Sequence, residues 1–350
     1  MITEEPKPVF QRPISRRQIL QRQRQKRIKL GTVIAGVVLA LMILSIPAYG
    51  YYQQFVAPGL EVIVRVNDTT INTNQYLKLL KVRVALQDKP DYSTEPLQLV
   101  QDLVNQELIR QGAPRLNLFV SDQELTQELK NRAFGDQKPD EGLSETDKES
   151  QFKTAYAAQL RKLGLTDQEY RRIVSIELLR EKLRDKLGQQ IPAVAEQVHA
   201  RAMVLDNSAD ADKAAARLKA GEKFENLNKE LSTDSDLKGK DGDLGWMPKG
   251  IMGSEFDNAV FQLAPKAIAN PVPLTGGYYV IEVLEKSNAM EISKDNLEKL
   301  KDAALNNWLE EEEKQNKVER IFNSDKYSWA VERIQEMQPK SPQSQDGYPQ

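Results

Sequence analysis

The feature that most constrains this chain is a long apolar run near its N-terminus. Residues 30–60 contain no charged side chain, and residues 31–48 are almost entirely aliphatic. A run of 18 or more such residues can cross about 30 Å of hydrocarbon as a helix, the conformation in which one segment satisfies its own backbone hydrogen bonds. We therefore predict a transmembrane helix over residues 31–53.

The placement of charge predicts the orientation of this helix. Residues 1–30 carry nine Lys or Arg and only two acidic residues, although the net charge of the 350-residue chain is −2. Basic residues beside a membrane segment stay in the cytoplasm, and tyrosines at the other end, such as Tyr49 and Tyr51, are typical of an interfacial belt. We expect a single-pass protein of the cell membrane, with a cytoplasmic tail at 1–30 and the bulk of the chain outside.

Two other interpretations of this region stay open. A cleaved signal peptide also places an apolar run after a basic segment, and residues 48–50 loosely match a small-x-small cleavage site. The long basic segment and the length of the run favour an uncleaved anchor. A basic tail can also bind nucleic acid. Next to an apolar run it favours a topology signal or contact with anionic lipid headgroups, so we expect no nucleic-acid partner.

Residue counts exclude several kinds of site. The chain has no cysteine and one histidine, His199. The first count excludes disulfides, thiolate metal sites, a cysteine nucleophile and a lipid-modified cysteine. The second excludes a histidine-rich metal site. We expect neither a metal nor a cofactor.

Residues 58–192 predict a mostly helical domain. They open with a strand–turn–strand pattern around Asn67-Asp68 and continue with helical periodicity and helix-capping sequences. One apolar helical stripe runs from Leu97 to Leu108, and a polar, acidic stretch at 134–150 is expected to be a solvated loop. Carboxylates in this domain have the spacing of a solvated helix surface and form no catalytic constellation.

The rest of the chain predicts a smaller domain and a helical return. Residues 193–288 alternate strands and helices around a polar loop at 232–245, an order that indicates a small α+β domain. Residues 289–337 return to helical periodicity and are expected to pack on the helical domain. The tail at 338–350 is of low complexity and is expected to be disordered.

Residues 196–284 resemble a parvulin-type (PpiC, rotamase) peptidyl-prolyl isomerase domain. Four segments carry the resemblance, in the family's order and at its spacing: the strand at 197–205, the short helix at 224–233, the sequence Gly-Asp-Leu-Gly-Trp at 242–246 with the apolar positions that follow it, and the closing segment at 271–281. One such match is weak evidence, whereas four in order are strong.

The flanking modules are similar to those of SurA-like and PrsA-like foldases, from about residue 60 to 320. The resemblance implies a four-part α+β protein: a transmembrane helix, a mostly helical SurA-N-like chaperone domain, a small α+β parvulin domain and a returning C-terminal helix. It also implies that the helical module binds unfolded or proline-containing polypeptides.

The resemblance implies an apolar slot for a proline ring. Prolyl isomerisation breaks no bond, so it requires no nucleophile or metal; it requires a site that favours the twisted amide over either planar form. The slot residues implied by the resemblance are Leu244, Met252, Phe256 and Phe261. The alternative is that these four side chains are ordinary core residues.

The polar half of the family site is altered. The family places one histidine at the position of Ala202 and a second at Tyr279, and neither is present here. Asp234 matches the family's Cys/Asp position if one extra residue is allowed in the following loop. His199 lies three positions before Ala202, and an odd offset on a strand points a side chain to the opposite face. Asp234 and Tyr279 remain as candidate catalytic residues.

Three functions follow from these patterns. We favour a chaperone whose parvulin domain binds prolyl peptides with weak or no isomerase activity, because both family histidines are replaced. A fully active peptidyl-prolyl isomerase is the first alternative. A non-enzymatic anchor of a secretion or envelope complex is the second.

Overall fold

The chain is described here by a computed structural model. It describes residues 34, 36–39, 41–87, 91, 93–135 and 142–335. The predicted basic tail, the predicted C-terminal tail and part of the predicted transmembrane segment lie outside these residues. Within them, residues 41–51 are helical and continue into a π-helical turn, Tyr52–Val56, and a short helix α1, Ala57–Leu60. Over the described part of the chain, no helix combines the length and the apolar character that a membrane crossing requires.

A three-stranded antiparallel sheet joins the two ends of the described chain. Strands β1 (Val62–Val66) and β2 (Thr69–Asn72) form the predicted hairpin, and Asn67 takes the left-handed φ of +54° that its turn requires. The other edge of β1 pairs with a strand from the C-terminal region, Val318–Arg320, which gives the order β2-β1-β7.

Among the described residues, five α-helices lie between the hairpin and the second domain. They are α2 (Thr73–Ala85), α3 (Glu95–Gly112), α4 (Asp122–Phe134), α5 (Glu145–Leu163) and α6 (Asp167–Gly188). Capping boxes begin α2, α4 and α6, where the N-cap side chain and the side chain three residues later bond each other's backbone N–H groups. The prediction of a mostly helical domain is confirmed.

Two details of this domain differ from the sequence prediction. The loop expected at 134–150 is shorter, because α5 begins at Glu145 with Ser144 as its N-cap. Phe152 and Tyr156 of α5 are buried against α4 and α6, and this aromatic packing stabilises a helix whose sequence reads as polar. Leu97 of the predicted apolar stripe is 56% exposed.

The second domain is an α+β unit built on a four-stranded antiparallel sheet, as predicted. Its strands are β3 (Val194–Leu205), β4 (Asp243–Pro248), β5 (Val272–Leu274) and β6 (Gly277–Glu291), in the order β4-β3-β6-β5. Its helices are α7 (Ser208–Lys219), α8 (Phe224–Leu231), α9 (Ser235–Gly239) and α10 (Ser254–Val260). The predicted loop at 232–245 therefore contains a short helix.

Each face of this sheet has its own apolar core. One core packs α7 and α8 against Met203, Leu205 and Val280. The other packs α10 against Val198, Ala200 and their neighbours. Because successive residues of a strand point to opposite faces, β3 supplies both cores.

The C-terminal segment returns to the helical domain. Helix α11 (Lys294–Gln315) packs against α6 and α3, then come β7 (Val318–Arg320) and α12 (Ser324–Gln335). The sequence prediction gave only helical periodicity over 289–337 and missed β7, since three residues are too few to show alternation. Arg184 of α6 donates to Glu298 and Asp302 of α11 at 2.7 and 2.6 Å.

Helix α11 approaches the helical domain closely at a glycine. A Cβ placed on Gly112 lies 2.6 Å from an edge atom of the Trp308 ring. We expect Gly112→Ala to displace Trp308 and to lower the free energy of unfolding by ~1–3 kcal/mol, the cost of overpacking a core. Urea unfolding followed by circular dichroism measures this change. Gly239→Ala is the matched control, because a Cβ there meets no atom within 4 Å; equal stability of the two variants contradicts the prediction.

Candidate functional site

The predicted site lies on the sheet face that packs against α10. Ala202 on β3 and Ile281 on β6 are paired across the ladder, and Tyr279 is two residues from Ile281 on the same face. The loop between β4 and α10 carries Met252, and β4 itself carries Leu244. The fold therefore brings the predicted residues to one face of one sheet.

The four predicted slot residues differ in exposure. Phe256 is 1% exposed and Phe261 is 6% exposed, so both belong to the core beneath the site. Leu244 and Met252 are half-buried and pack against the same core. Of the four predicted slot residues, Leu244 and Met252 therefore keep exposed apolar surface, whereas Phe256 and Phe261 are core residues.

Asp234 lies at the N-terminus of α9, in the loop between α8 and β4. Its side chain caps α9 by accepting hydrogen bonds at 2.9 Å from the backbone N–H groups of Asp236 and Leu237. Both bonds are to the same oxygen, Oδ1, which leaves Oδ2 for another partner. A capping carboxylate of this kind holds the loop in one conformation.

Tyr279 is the other polar group of the predicted site. Its hydroxyl donates to the carbonyl oxygen of Thr275 at 3.3 Å. Burial, and after it the negative charge of Asp234, raise the pKa of Tyr279. Tyr279 is therefore a neutral hydrogen-bond donor at physiological pH, within the electrostatic reach of Asp234.

Ala202 is fully buried and joins the loop to the sheet through its backbone. Its N–H donates to the carbonyl oxygen of Gly242 at 2.8 Å. A Cβ on Gly242, whose φ is +85°, would lie 2.7 Å from the carbonyl oxygen of Ala202. Glycine is therefore required where the loop crosses β3, and Ala202 supplies packing but no polar side chain.

His199 lies away from this face, as its odd offset predicts. Its Nε2 is 2.8 Å from Asp243 Oδ1, and its ring stacks on Trp246 with the ring centroids 5.6 Å apart. Asp243 Oδ1 also accepts from the N–H of Gly245 at 2.9 Å. These contacts fix the bulge in the β3–β4 ladder next to Ala200.

One residue of the site was not identified from the sequence. Asp257 Oδ2 accepts from the N–H of Gly250 at 2.8 Å, which holds the loop that carries Met252. Its Oδ1 is buried without a hydrogen-bond partner, and burial raises the pKa of Asp257. The sequence signal for a tightly folded loop was the presence of two glycines, Gly250 and Gly253, on either side of Met252. Both take a positive φ in the structure.

Among the residues described, no group of three or more His, Cys, Asp or Glu side chains is placed to hold a metal ion. The site offers an apolar surface, a neutral hydroxyl and a capping carboxylate. Such a set can bind a peptide and favour one amide geometry, and it provides no activated nucleophile.

The Asp243 contacts predict acid sensitivity of the β3–β4 ladder. The hydrogen bond from Gly245, then that from His199, lowers the pKa of Asp243 in the folded protein. A lowered pKa adds stability above the unfolded pKa, and this stability is lost as the pH falls through the folded value. Melting temperatures measured from pH 7 down to pH 2 should fall less steeply for Asp243→Ala than for the wild type. Parallel curves for the two proteins contradict the prediction; Asp241→Ala, at an exposed neighbour, is the control.

Two family models match the chain. Residues 193–287 match the PPIC-type PPIASE domain, and residues 18–184 match the SurA-like N-terminal domain. The suspected resemblance to SurA-like and PrsA-like parvulin foldases is thereby confirmed, as is the division of the fold into a helical N-terminal domain and a small α+β domain.

Two relatives that carry the name foldase protein PrsA are similar to this chain. The chain is 24% identical over 274 residues to the foldase protein PrsA of Geobacillus sp. (strain WCH70), a match that covers 76% of this chain and 87% of the relative. It is 27% identical over 194 residues to the foldase protein PrsA of Clostridium tetani, which covers 48% of this chain and 57% of that relative.

A solved structure is also similar. The crystal structure of the peptidylprolyl isomerase PrsA from Bacillus anthracis aligns with a TM-score of 0.40 and 20% identity, over 68% of this chain and 96% of that one. The two family models and the Geobacillus relative decide the assignment. The chain joins a SurA-like N-terminal domain to a PpiC-type peptidyl-prolyl isomerase domain and is a homologue of the PrsA foldases.

Proposed function

We propose that this chain is a membrane-anchored extracytoplasmic foldase that binds unfolded polypeptides, and that its parvulin domain holds prolyl segments with weak or no isomerase activity. The observation that carries the proposal is the full burial of Ala202, at the position where the resemblance implies a histidine. Asp234 and Tyr279 are then the polar residues left to act on a bound amide.

The chemistry explains why binding survives the loss of a histidine. Rotation about a peptide bond has a barrier of about 18–20 kcal/mol, and proline leaves the exchange slow, at tens to hundreds of seconds. Apolar surface at Leu244 and Met252 can bind a proline ring without lowering that barrier. Lowering it requires groups that bind the twisted amide more strongly than the planar one.

The remaining polar groups are poorly suited to that task. The Tyr279 hydroxyl already donates a hydrogen bond to the carbonyl oxygen of Thr275, and one carboxylate oxygen of Asp234 accepts the hydrogen bonds that cap α9. Ala202 leaves no donor between them. We infer that the site orients a prolyl peptide more than it accelerates its isomerisation.

The helical domain supports the chaperone part of the proposal. Large apolar side chains stand on its surface: Leu86 is 66% exposed, Leu97 56% and Phe119 63%. Unfolded polypeptides expose apolar segments that can bury surface against such side chains. The relatives carry the name foldase, which fits the same task.

The membrane anchor rests on the N-terminal sequence. Residues 30–60 lack charge, and the basic residues before them favour a cytoplasmic N-terminus. Apolar side chains in the described part of this segment face outward rather than a core, with Leu44 63% and Ile46 75% exposed. Lipid is the environment that such side chains require.

Isomerase activity is tested by restoring the family residues. We expect the wild-type chain to bind a proline-containing peptide while accelerating its cis/trans exchange far less than an active parvulin does. The variant Ala202→His with Tyr279→His should gain at least about tenfold in exchange rate, a reduction of ~1.4 kcal/mol in the barrier. Exchange measured by nuclear magnetic resonance separates binding from catalysis.

The control for this experiment is Tyr279→Phe, which removes the hydroxyl and keeps the ring. Wild-type exchange at the speed of an active parvulin would show that the chain is a full isomerase and would overturn the proposal. Stable binding to one partner protein, with neither peptide binding nor suppression of aggregation, would favour the role of a structural anchor instead.

Membrane anchoring predicts a partition experiment. The full chain should remain in the membrane fraction after washing with alkaline carbonate, with residues after 60 accessible to protease only from outside. A chain lacking residues 1–53 should be released from the membrane, because the apolar run supplies the binding free energy. Release of the full chain by salt alone contradicts the proposed anchor, and a shortened mature chain indicates cleavage.

A further inference from the structure

The helical domain contains a groove that the prolyl site does not explain. It has a volume of about 150 Å³ and lies where β2 meets α2, α3 and α6. Its floor is apolar and includes Leu79, Leu103, Ile173 and Ile176. An apolar cavity of this volume can hold a benzene ring, so the groove fits one large apolar side chain.

The groove runs along the edge of strand β2. Thr69, Thr70 and Ile71, three consecutive residues, all line it. Successive side chains of a strand point to opposite faces of the sheet. A cavity that touches all three must therefore lie beside the edge of the strand, where backbone groups are directed.

That edge has no strand partner. The sheet order is β2-β1-β7, so β2 is an outer strand in the part of the chain that the structure describes. Val66 and Thr69 flank the two-residue turn and form a hydrogen-bonded pair. Hydrogen-bonded and non-hydrogen-bonded pairs alternate along an antiparallel ladder, so the next pair, Arg65 with Thr70, is non-hydrogen-bonded. The backbone N–H and carbonyl of exposed Thr70 consequently point away from β1.

The charges around the groove neutralise one another. Lys78 Nζ lies 2.5 Å from Glu169 Oε2, across the groove between α2 and α6. Arg172 lies 3.7 Å from buried Glu107, which Arg110 also pairs with. A rim of closed ion pairs around an apolar floor selects a neutral apolar group and disfavours a charged one.

We propose that an extended, apolar segment of an unfolded polypeptide adds to the edge of β2 as a further strand and places one large apolar side chain in this groove. The sheet edge selects an extended backbone, and the neutral, ring-sized cavity selects the side chain. The inference rests on the proposed foldase function and gives the helical domain a client site that does not require proline.

The test uses the full chain in phosphatidylcholine nanodiscs and a fluorescein-labelled, proline-free peptide. The peptide has nine residues, with a central phenylalanine flanked by alternating valine and threonine. Fluorescence anisotropy measures its dissociation constant. We expect replacement of the central phenylalanine by aspartate to weaken binding at least about tenfold. Methylation of the peptide amides on the edge that pairs with β2 should do the same, as expected from the loss of one or two backbone hydrogen bonds.

Two pairs of protein variants test the two halves of the site. Gln106→Trp fills the groove from α3, and Gln123→Trp places the same side chain on exposed α4 as its control. Thr70→Pro removes the outward N–H from an edge strand, where proline is tolerated, and Thr70→Val keeps it. We expect about tenfold weaker binding for Gln106→Trp and Thr70→Pro, and wild-type affinity for both controls.

The outcomes separate this inference from the foldase proposal. Absence of binding to the wild type, or equal affinities for the methylated and unmethylated peptides, overturns the groove site. The comparison of peptides uses only the wild-type protein, so it remains a valid test even if a protein variant fails to fold. Suppression of client aggregation and binding of a proline peptide are measured on the same preparations. If both persist while the groove variants have no effect, the foldase function stands and the client site lies elsewhere.

Discussion

The fold depends on the contacts between the strand β1 region and the C-terminal segment that contains β7, because these two segments complete one sheet. Asn67 donates to Gln111 and Asn316 through Nδ2, and accepts from the N–H of Lys317 through Oδ1. Lys326 donates to the carbonyl oxygen of Val62. The helical domain is thus built from both sides of the parvulin domain, which is inserted between them and held at two points.

The parvulin domain is inserted into the helical domain, and the two chain segments that enter and leave it pair with each other as antiparallel strands. Val194 and Ala195 of β3 lie opposite Glu291 and Met290 of β6, beyond the compact part of the sheet. Asn296, in the first turn of α11, donates to the carbonyl oxygen of Trp246 at 2.6 Å. The parvulin domain is therefore joined to the helical domain by a ribbon and a helix rather than by two free linkers.

Sequence patterns predicted the parts that local rules control. The capping boxes and the Asn67 turn were readable because both ends of each interaction lie within a few residues. β7 and the early start of α5 were not, because a long-range pairing with β1 and an aromatic cluster determine them. At the candidate site, motif spacing selected residues that the fold brings to one face of the sheet. Only packing shows that Phe256 is buried beneath that face and that Asp257 holds the Met252 loop.

The inserted arrangement has a consequence for how the chain is made. Asn67 and its partner Asn316 are separated by 249 positions, and the third strand of the small sheet is synthesised after the whole parvulin domain. Contacts of such separation form late, since the entropy of closing the intervening chain must be overcome first. The parvulin domain can fold as soon as it has left the ribosome, while β1 keeps an open edge until residues 318–320 have been synthesised. The chain therefore passes through a stage in which its own first sheet lacks one strand and β1 has an unpaired edge.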